Sequence, residues 1–231
     1  ENLLRIRDTM AAACAAAGRP ETDVSLLAVT KTVEPARINR ALSLGVGQIG
    51  ENRVQELTAH LEHNAYEGAR VHFIGHLQTN KVKVVGKVEL IHSVDSLHLL
   101  QAINNQADKL GLIQDFLLEV NIAGEESKGG CTPELAWELA RQSAQLDHVR
   151  FRGLMAIPPV STVPGENRPW FRAMHQLFVD MREKMSDNQG DITYLSMGMS
   201  GDYADAIAEG STLIRVGTAL FGPRPPMVPR K

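Results

Sequence analysis

Two basic residues near opposite ends of the chain, Lys31 and Arg215, lie at or just beyond short apolar segments that read as β-strands. Alternation along a strand places Val29 with Lys31 on one face and Leu213 with Arg215 on one face. If both faces point into a shared interior, an anionic ligand or deprotonation of the lysine must offset the burial of two cations. A desolvated lysine beside a second cation can have a free amine that condenses with an aldehyde. In the alternative interpretation, Lys31 extends into solvent from a strand end.

Two glycine-containing loops could bind a phosphate group. The first covers residues 196–202 and leads into a predicted helix, whose unpaired N–H groups would face an anion. The second is the pair Gly217 and Thr218, where the missing side chain lets the backbone approach a ligand and a hydroxyl lies beside it. Taken alone, the two are equally well interpreted as ordinary connecting loops.

Three further motifs are interpreted as structural. Residues 45–50 match the G-x-G-x-x-G pattern, but they follow a predicted helix, whereas a dinucleotide-binding fingerprint follows a strand. Four histidines lack a further ligand at metal-binding spacing, so no metal site is predicted and they are interpreted as solvated or capping residues: His60, His63, His72 and His76. Three serines lack the strand-turn-helix context of a catalytic nucleophile: Ser196, Ser200 and Ser211.

The elements that must position these residues alternate between short apolar segments and segments of helical period. Strands are predicted at residues 26–30, 46–49, 71–74, 90–94, 116–122, 151–157, 192–195 and 212–216. Helices are predicted at residues 1–17, 35–44, 51–63, 79–85, 97–110, 133–146, 171–185 and 202–209. The apolar stripe of the helix at 171–185, which is rich in methionine, is interpreted as core packing.

Eight strand-helix alternations without a break in composition predict the α/β class and one domain over residues 1–231. The predicted fold is a (β/α)8 TIM barrel at about 25–222 with an extra N-terminal helix at about 1–17. In such a barrel strand one adjoins strand eight, so Lys31 and Arg215 would share the carboxyl-terminal rim, where the loops after strands seven and eight commonly bind phosphate. An open doubly wound sheet is the alternative fold.

The composition excludes several classes of protein. With 231 residues, 43% hydrophobic and 22% charged, the chain is unlike disordered or fibrous proteins. Its 24 basic and 27 acidic residues give a net charge of −3 without a dense basic stripe, so nucleic acid is not an expected partner. The longest run of small apolar residues, at 10–17, is too short to cross a bilayer, and no membrane association is expected. Two isolated cysteines fit a reducing compartment, and a cytoplasmic location is predicted.

Six segments, in order along the chain, carry a close resemblance to a known family. They are LAVTK at 27–31, GENRVQE at 50–56, HFIGHLQTNK at 72–81, RGLMAI at 152–157, LSMGMS at 195–200 and IRVGTALFG at 214–222. With them the chain closely resembles the pyridoxal phosphate homeostasis protein family from about Ser25 to Gly222. The resemblance implies a barrel of the alanine racemase N-terminal type, known as fold type III among proteins that bind pyridoxal 5′-phosphate.

The resemblance also implies a role for individual residues. Pyridoxal 5′-phosphate would be held as a Schiff base on Lys31, with Arg215 facing its pyridine nitrogen. Ser200 and the backbone of Gly217 and Thr218 would bind its phosphate. Three more residues fall in family segments near the ring and are assigned only as wall residues: Asn52, His76 and Met155.

The function that the resemblance implies is that of a carrier, not an enzyme. It would buffer pyridoxal phosphate and deliver it to apo-enzymes that need it, acting as a monomer. The permanent charge of Arg215 disfavours a proton on the ring nitrogen and so weakens the ring as an electron sink. Racemase-type relatives add a second domain with an acid-base tyrosine, whereas the 13 residues after Thr218 contain none. The alternative is a minimal amino-acid racemase or transaldimination enzyme with Lys31 as its base.

Overall fold

The computed structural model describes residues 1–125, 127–185 and 191–223. Its eight parallel strands pair in chain order and close into a barrel through β8 and β1, which confirms the predicted fold. The strands are β1 (Ser25–Val29), β2 (Gln48–Glu51), β3 (Arg70–Phe73), β4 (Leu90–Val94), β5 (Gln114–Glu119), β6 (Val149–Met155), β7 (Tyr194–Ser196) and β8 (Leu213–Val216).

The helices follow the strands around the barrel. They are α1 (Asn2–Ala16), α2 (Pro35–Ser43), α3 (Val54–Glu62), α4 (Leu97–Leu110), α5 (Pro133–Ser143), α6 (Arg168–Lys184), α7 (Tyr203–Ala208) and α8 (Thr218–Phe221). Two 3-10 segments, Glu21–Asp23 and Thr79–Val84, complete the regular structure of the described residues. The extra helix α1 packs against α7 and β8 through Ile6 and Cys14, which contact the cluster around Ile207 and Ile214. None of these helices is long and apolar enough to span a bilayer.

Local sequence signals explain where two of the helices begin. The Ser96 hydroxyl accepts a hydrogen bond from the Leu99 N–H at 3.4 Å, and α4 ends at Leu110, before Gly111, which adopts the left-handed conformation with φ of 64°. Thr132 caps α5 in the same way, with Pro133 in the first turn. Both starts agree with the sequence analysis, because capping depends only on neighbouring residues.

Several predicted boundaries were wrong. Strands β5 and β6 begin and end two or three residues earlier than expected, because polar residues at their start are paired: Asp115 on β5 binds Arg150 and Arg152 on β6, at 2.7 and 3.1 Å. Glu51 belongs to β2 and not to the following helix. The predicted helix at 79–85 is a 3-10 segment, α5 stops at Ser143, and α8 was not predicted at all.

Two layers of apolar side chains stabilise the barrel. Leu27, Ile74 and Leu213 form one cluster on inward-facing strand positions, and a second cluster contains Leu90, Leu117 and Met155. A larger cluster lies between the strands and the helices and includes the stripe of α6: Phe171, Met174, Phe178 and Met181. The methionine stripe therefore belongs to the core, as predicted.

Candidate functional site

A cavity of about 290 Å³ opens at the carboxyl-terminal ends of β1 and β8. This is the end of a (β/α)8 barrel where functional sites lie. Its lining combines residues at the ends of, or in the segments after, β1, β2, β3, β6, β7 and β8: Val29, Lys31, Thr32, Val33, Arg37, Asn52, Ile74, Ile157, Met199, Ser200, Gly201, Arg215, Gly217, Thr218, Phe221, Gly222 and Pro223. Six of the eight residues assigned from the sequence are among them. A larger open groove of about 1030 Å³ lies at the opposite, amino-terminal end, near α6 and Glu209.

Lys31 stands in a turn two residues beyond the end of β1, partly buried at the cavity wall. The next residue, Thr32, has a positive φ of 61°, which is unusual for a residue other than glycine. The turn is closed by the Val33 N–H, which donates to the Thr30 carbonyl at 3.0 Å, and is tied to β2 by the Thr30 N–H, which donates to the Gly50 carbonyl at 3.1 Å. The backbone around Lys31 is therefore fixed on both sides.

A buried carboxylate supports this turn from below. Glu51 is fully buried, and its Oε1 accepts hydrogen bonds from the Thr30 hydroxyl and from the Tyr66 hydroxyl at 2.8 Å, with His60 Nδ1 at 2.9 Å. The hydrogen bond to Glu51 raises the pKa of His60, although burial acts in the opposite direction. The residues next to Thr30 and Glu51 are Lys31 and Asn52, so the cluster joins two strand ends that line the cavity.

The structure corrects the expectations for two histidines and adds one residue to the site. His60 was expected to be solvated or capping, but it is buried against Glu51. His72 was expected to be of the same kind, but it is fully buried inside the barrel. Glu51 was missed because a lone carboxylate at a strand end has no sequence signature, and its partners come from three separate segments.

Arg215 is 4% exposed and faces the barrel interior, opposite Leu27 in the strand register. Its Nη1 donates to both the carbonyl and the hydroxyl of Ser196 at 2.7 Å, and its Nη2 donates to the Ala156 carbonyl at 2.9 Å. Burial lowers the pKa of Arg215 to about 10, so it stays charged at neutral pH. Lys31 and Arg215 thus line one cavity.

The two glycine loops meet at the other end of the cavity. The Ser200 hydroxyl accepts hydrogen bonds from the N–H groups of Gly217 at 3.3 Å and Ala219 at 3.2 Å, which belong to the start of α8. A Cβ atom at Gly217 would lie 3.3 Å from the Val29 Cβ and would push into the cavity wall. Both N–H groups donate to Ser200 in this structure, so an anion bound here would take them over from the serine oxygen and would have the Ser200 and Thr218 hydroxyls as further donors.

The loop at 196–202 contributes in a different way from the one predicted. The N–H groups of Asp202 and Tyr203, at the start of α7, both donate to the Met199 carbonyl at 3.1 and 2.9 Å, and the Asp202 carboxylate accepts from the Met199 N–H. The start of α7 is therefore satisfied by the protein itself. The helix whose start borders the cavity is α8, and this helix was not predicted from the sequence.

The three expected wall residues separate in the structure. Asn52 lines the cavity, and its Oδ1 is buried without a hydrogen-bond partner among the described residues. His76 is exposed and Met155, at 1% exposure, packs one layer deeper in the barrel, so neither belongs to the lining. Ile157, two residues beyond Met155 on the same face and 39% exposed, lines the wall instead.

Arg37 is a lining residue that the sequence analysis missed. It lies in the first turns of α2, and its guanidinium donates to the carbonyl of Phe221 at the end of α8 and lies over the ring of that residue. It thereby joins the helix after Lys31 to the helix after Arg215. The sequence could have indicated Arg37, because it follows the first strand of the barrel and the segments after the strands line the site in this fold.

The lining fits the chemistry of pyridoxal phosphate, which combines an aldehyde, a ring nitrogen and a dianionic phosphate. Lys31 offers the amine, and Arg215 retains N–H groups on Nε and Nη2 without a partner among the residues described. Asn52 has an unpaired buried oxygen, and the start of α8 with Ser200 offers anion donors. Within the described ranges, no group of three or more His, Cys, Asp or Glu side chains could hold a metal ion.

Comparisons with known proteins agree with this geometry. The chain matches the family described as alanine racemase, N-terminal domain, over residues 2–225. The pyridoxal phosphate homeostasis protein of Aquifex aeolicus is 43% identical over 225 residues, which cover 97% of each chain. The structure of PipY from Synechococcus elongatus without PLP has a TM-score of 0.82 and 35% identity, covering 94% of this chain and 100% of that one. With PLP bound, PipY has a TM-score of 0.79 and 34% identity, covering 92% and 100%.

Proposed function

Because the chain belongs to the alanine racemase N-terminal domain family, and within it to the pyridoxal phosphate homeostasis proteins, we propose that it binds pyridoxal 5′-phosphate on Lys31 and buffers or delivers it. The single observation that carries the proposal is that Lys31, Arg215 and the anion-binding start of α8 line one cavity of small-molecule size. The relative with PLP bound, PipY, has the same fold.

Each residue has a separate task in this proposal. Lys31 would hold the group covalently through its amine, and the group would supply an aldehyde to that amine. Ser200, Gly217 and Thr218 would hold the phosphate, and Arg215 would donate to the ring nitrogen. Asn52, whose Oδ1 is unpaired, would form part of the wall around the group.

The surroundings of Arg215 support a carrier over an enzyme. Its hydrogen bonds go to two carbonyls and a hydroxyl, and none reaches a carboxylate among the described residues. A fully charged guanidinium keeps the ring nitrogen unprotonated and the ring a weak electron sink. The phenol closest in sequence to the phosphate loop, Tyr203, packs with Ile207 and Ile214 and is not part of the lining, so it does not supply the acid that a racemase needs.

Borohydride reduction followed by peptide mapping tests the proposal. Reduction of the protein loaded with pyridoxal phosphate should fix one phosphopyridoxyl group on Lys31, and Lys31→Ala should lose it. Lys81→Ala, at a partly exposed position of the 3-10 segment Thr79–Val84, is the matched control and should keep the label. A label on any other lysine of the wild-type protein would refute the assignment.

Solvent deuterium separates the carrier from the enzyme. The loaded protein is expected to leave the α-hydrogen of alanine, and of a panel of other amino acids, unexchanged in D2O. Rapid exchange would favour the racemase or transaldimination alternative. Recipient apo-enzymes, the monomeric state and the cytoplasmic location stay predictions.

A further inference from the structure

A line of hydrogen-bonded polar side chains runs behind Arg215 through the interior of the barrel. Arg215 Nη1 donates to Ser196 Oγ at 2.7 Å, Ser196 Oγ lies 3.1 Å from His92 Nδ1, and His92 Nε2 lies 3.0 Å from His72 Nδ1. Ser196, His92 and His72 are each 0% exposed. Four strands, β8, β7, β4 and β3, therefore contribute one residue each to a single connected chain.

The chemistry of the four groups gives this chain one direction. An arginine can only donate, so the Ser196 oxygen accepts and its own hydrogen is left to donate. Burial lowers the pKa of His72 to about 3 and that of His92 well below its ordinary value, so both rings are neutral, with one donor and one acceptor nitrogen each. Ser196 donating to His92 Nδ1 then requires His92 Nε2–H to donate to His72 Nδ1.

The opposite direction satisfies fewer groups. If His92 Nδ1–H donated to Ser196, the serine hydrogen would have no acceptor among the described residues, in a position without contact to water. Such an unpaired buried donor is costly. The favoured direction leaves one buried group unpaired, the Nε2–H of His72, which has no partner in the described part of the chain, whereas the opposite direction leaves both the serine hydrogen and the His72 Nε2 lone pair unpaired.

We propose that Ser196 and His92 are positioning residues, which lock the guanidinium of Arg215 through a one-way chain of neutral donors. With its Nη1 held by Ser196, the Nε–H and the second Nη2–H of Arg215 remain to face the cavity. That these N–H groups bind a ring nitrogen rests on the proposed function. The line of hydrogen bonds behind Arg215 is present in the protein without a ligand.

The neutrality of the chain has a chemical consequence. A carboxylate hydrogen-bonded to Arg215 would balance the charge of the guanidinium. A ligand nitrogen next to that pair could then keep a proton more easily. In this barrel the acidic groups Glu119 and Asp202 affect Arg215 only through space, without a hydrogen bond. Serine and two neutral imidazoles fix the orientation of Arg215 and leave its charge undiminished.

The first test needs no ligand. In ¹⁵N NMR spectra of the imidazole rings of the ligand-free protein at neutral pH, both His92 and His72 are expected to carry hydrogen on Nε2 and none on Nδ1. A hydrogen on Nδ1 of either ring, or a doubly protonated ring, would overturn the proposed direction. This readout stands whether or not the protein binds pyridoxal phosphate.

The second test compares three variants by their dissociation constants for pyridoxal phosphate. Ser196→Ala and His92→Leu each remove one link and should weaken binding about fivefold to tenfold, whereas His92→Asn keeps an acceptor near the Nδ1 position and should stay within about twofold of wild type. Affinity for inorganic phosphate should not change in any of them. The positioning role would be overturned if all three variants bound pyridoxal phosphate as tightly as wild type, or if His92→Leu and His92→Asn lost the same affinity. Failure of the proposed function would instead show as an unlabelled Lys31 in the wild-type protein.

Discussion

Replacing Glu51 by glutamine is expected to destabilise the protein more at pH 6 than at pH 9. The hydrogen bond to the buried Glu51 carboxylate raises the pKa of His60. A raised pKa means that the charged pair stabilises the folded state fully below the ordinary histidine value of about 6.5, and that this contribution is lost as the pH rises through the folded-state pKa. Glutamine keeps an acceptor oxygen but carries no charge to pair with the imidazolium.

The magnitude follows from the contacts that the substitution keeps and loses. Glutamine can still accept from the hydroxyls of Thr30 and Tyr66, but its contact with His60 loses the charge, and its amide nitrogen takes the place of Oε2, which is buried without a partner among the described residues. The unpaired amide adds a loss that does not depend on pH. A hydrogen bond involving a charged group contributes about 1.5–3 kcal/mol. His60 is only 9% exposed, so solvent screens the pair weakly. The free energy of unfolding is therefore expected to fall by about 2 kcal/mol more at pH 6 than at pH 9, in addition to a loss that is the same at both.

Urea denaturation of wild type and Glu51→Gln at pH 6, 7, 8 and 9 measures the difference in their free energies of unfolding. Titrating groups that both proteins share do not contribute to that difference. Tyr66→Phe is the matched control, because it removes one hydroxyl from the same carboxylate without touching the charge. Burial raises the pKa of Tyr66, so this control should lose about 1 kcal/mol equally at every pH tested. A loss in Glu51→Gln that is constant with pH, or larger at pH 9, would refute the role of the charged pair.

Three further predictions concern the cavity and its surroundings. Gly217→Val should weaken pyridoxal phosphate binding at least tenfold and also lower the melting temperature, because Gly217 lines the cavity and its Cβ would lie 3.3 Å from the Val29 Cβ and 3.4 Å from the Val29 carbonyl oxygen; equilibrium dialysis and thermal melting measure the two effects. Arg215→Gln should keep the borohydride label on Lys31 but release the unreduced ligand about tenfold faster, and equal release rates would count against its contact with the ring nitrogen. Burial raises the pKa of Cys131 to about 12, so iodoacetamide at pH 8 should modify it far more slowly in the native than in the urea-unfolded protein, as followed by mass spectrometry.

The parts of the site that follow local rules could be predicted from the sequence. Strand alternation places Arg215 on the inward face of β8, and closure of the barrel brings the turn that carries Lys31, just after β1, next to that strand. The caps at Ser96 and Thr132 are settled by residues within one turn. These inferences need only the spacing along one segment and the order of the segments.

Other features depend on how far each strand is displaced along its neighbour. Strands β5 and β6 begin earlier than the residue types indicate. Met155 therefore lies in the barrel interior, one layer below the rim, and Ile157 lies at the cavity wall instead. His76 turns outward for the same kind of reason, because β3 ends at Phe73 and the chain leaves the barrel before it.

By itself, the sequence determined the barrel, its family and the pair of cations at its rim, because periodicity and motif order are properties of the chain alone. Only the tertiary structure decided which polar groups are paired inside it. Glu51 meets His60 and Tyr66, and Ser196 meets His92, over separations of up to 104 residues. Such contacts require that several strands, tilted and displaced against one another, bring buried donors and acceptors within about 3 Å, and no spacing along the sequence encodes that distance.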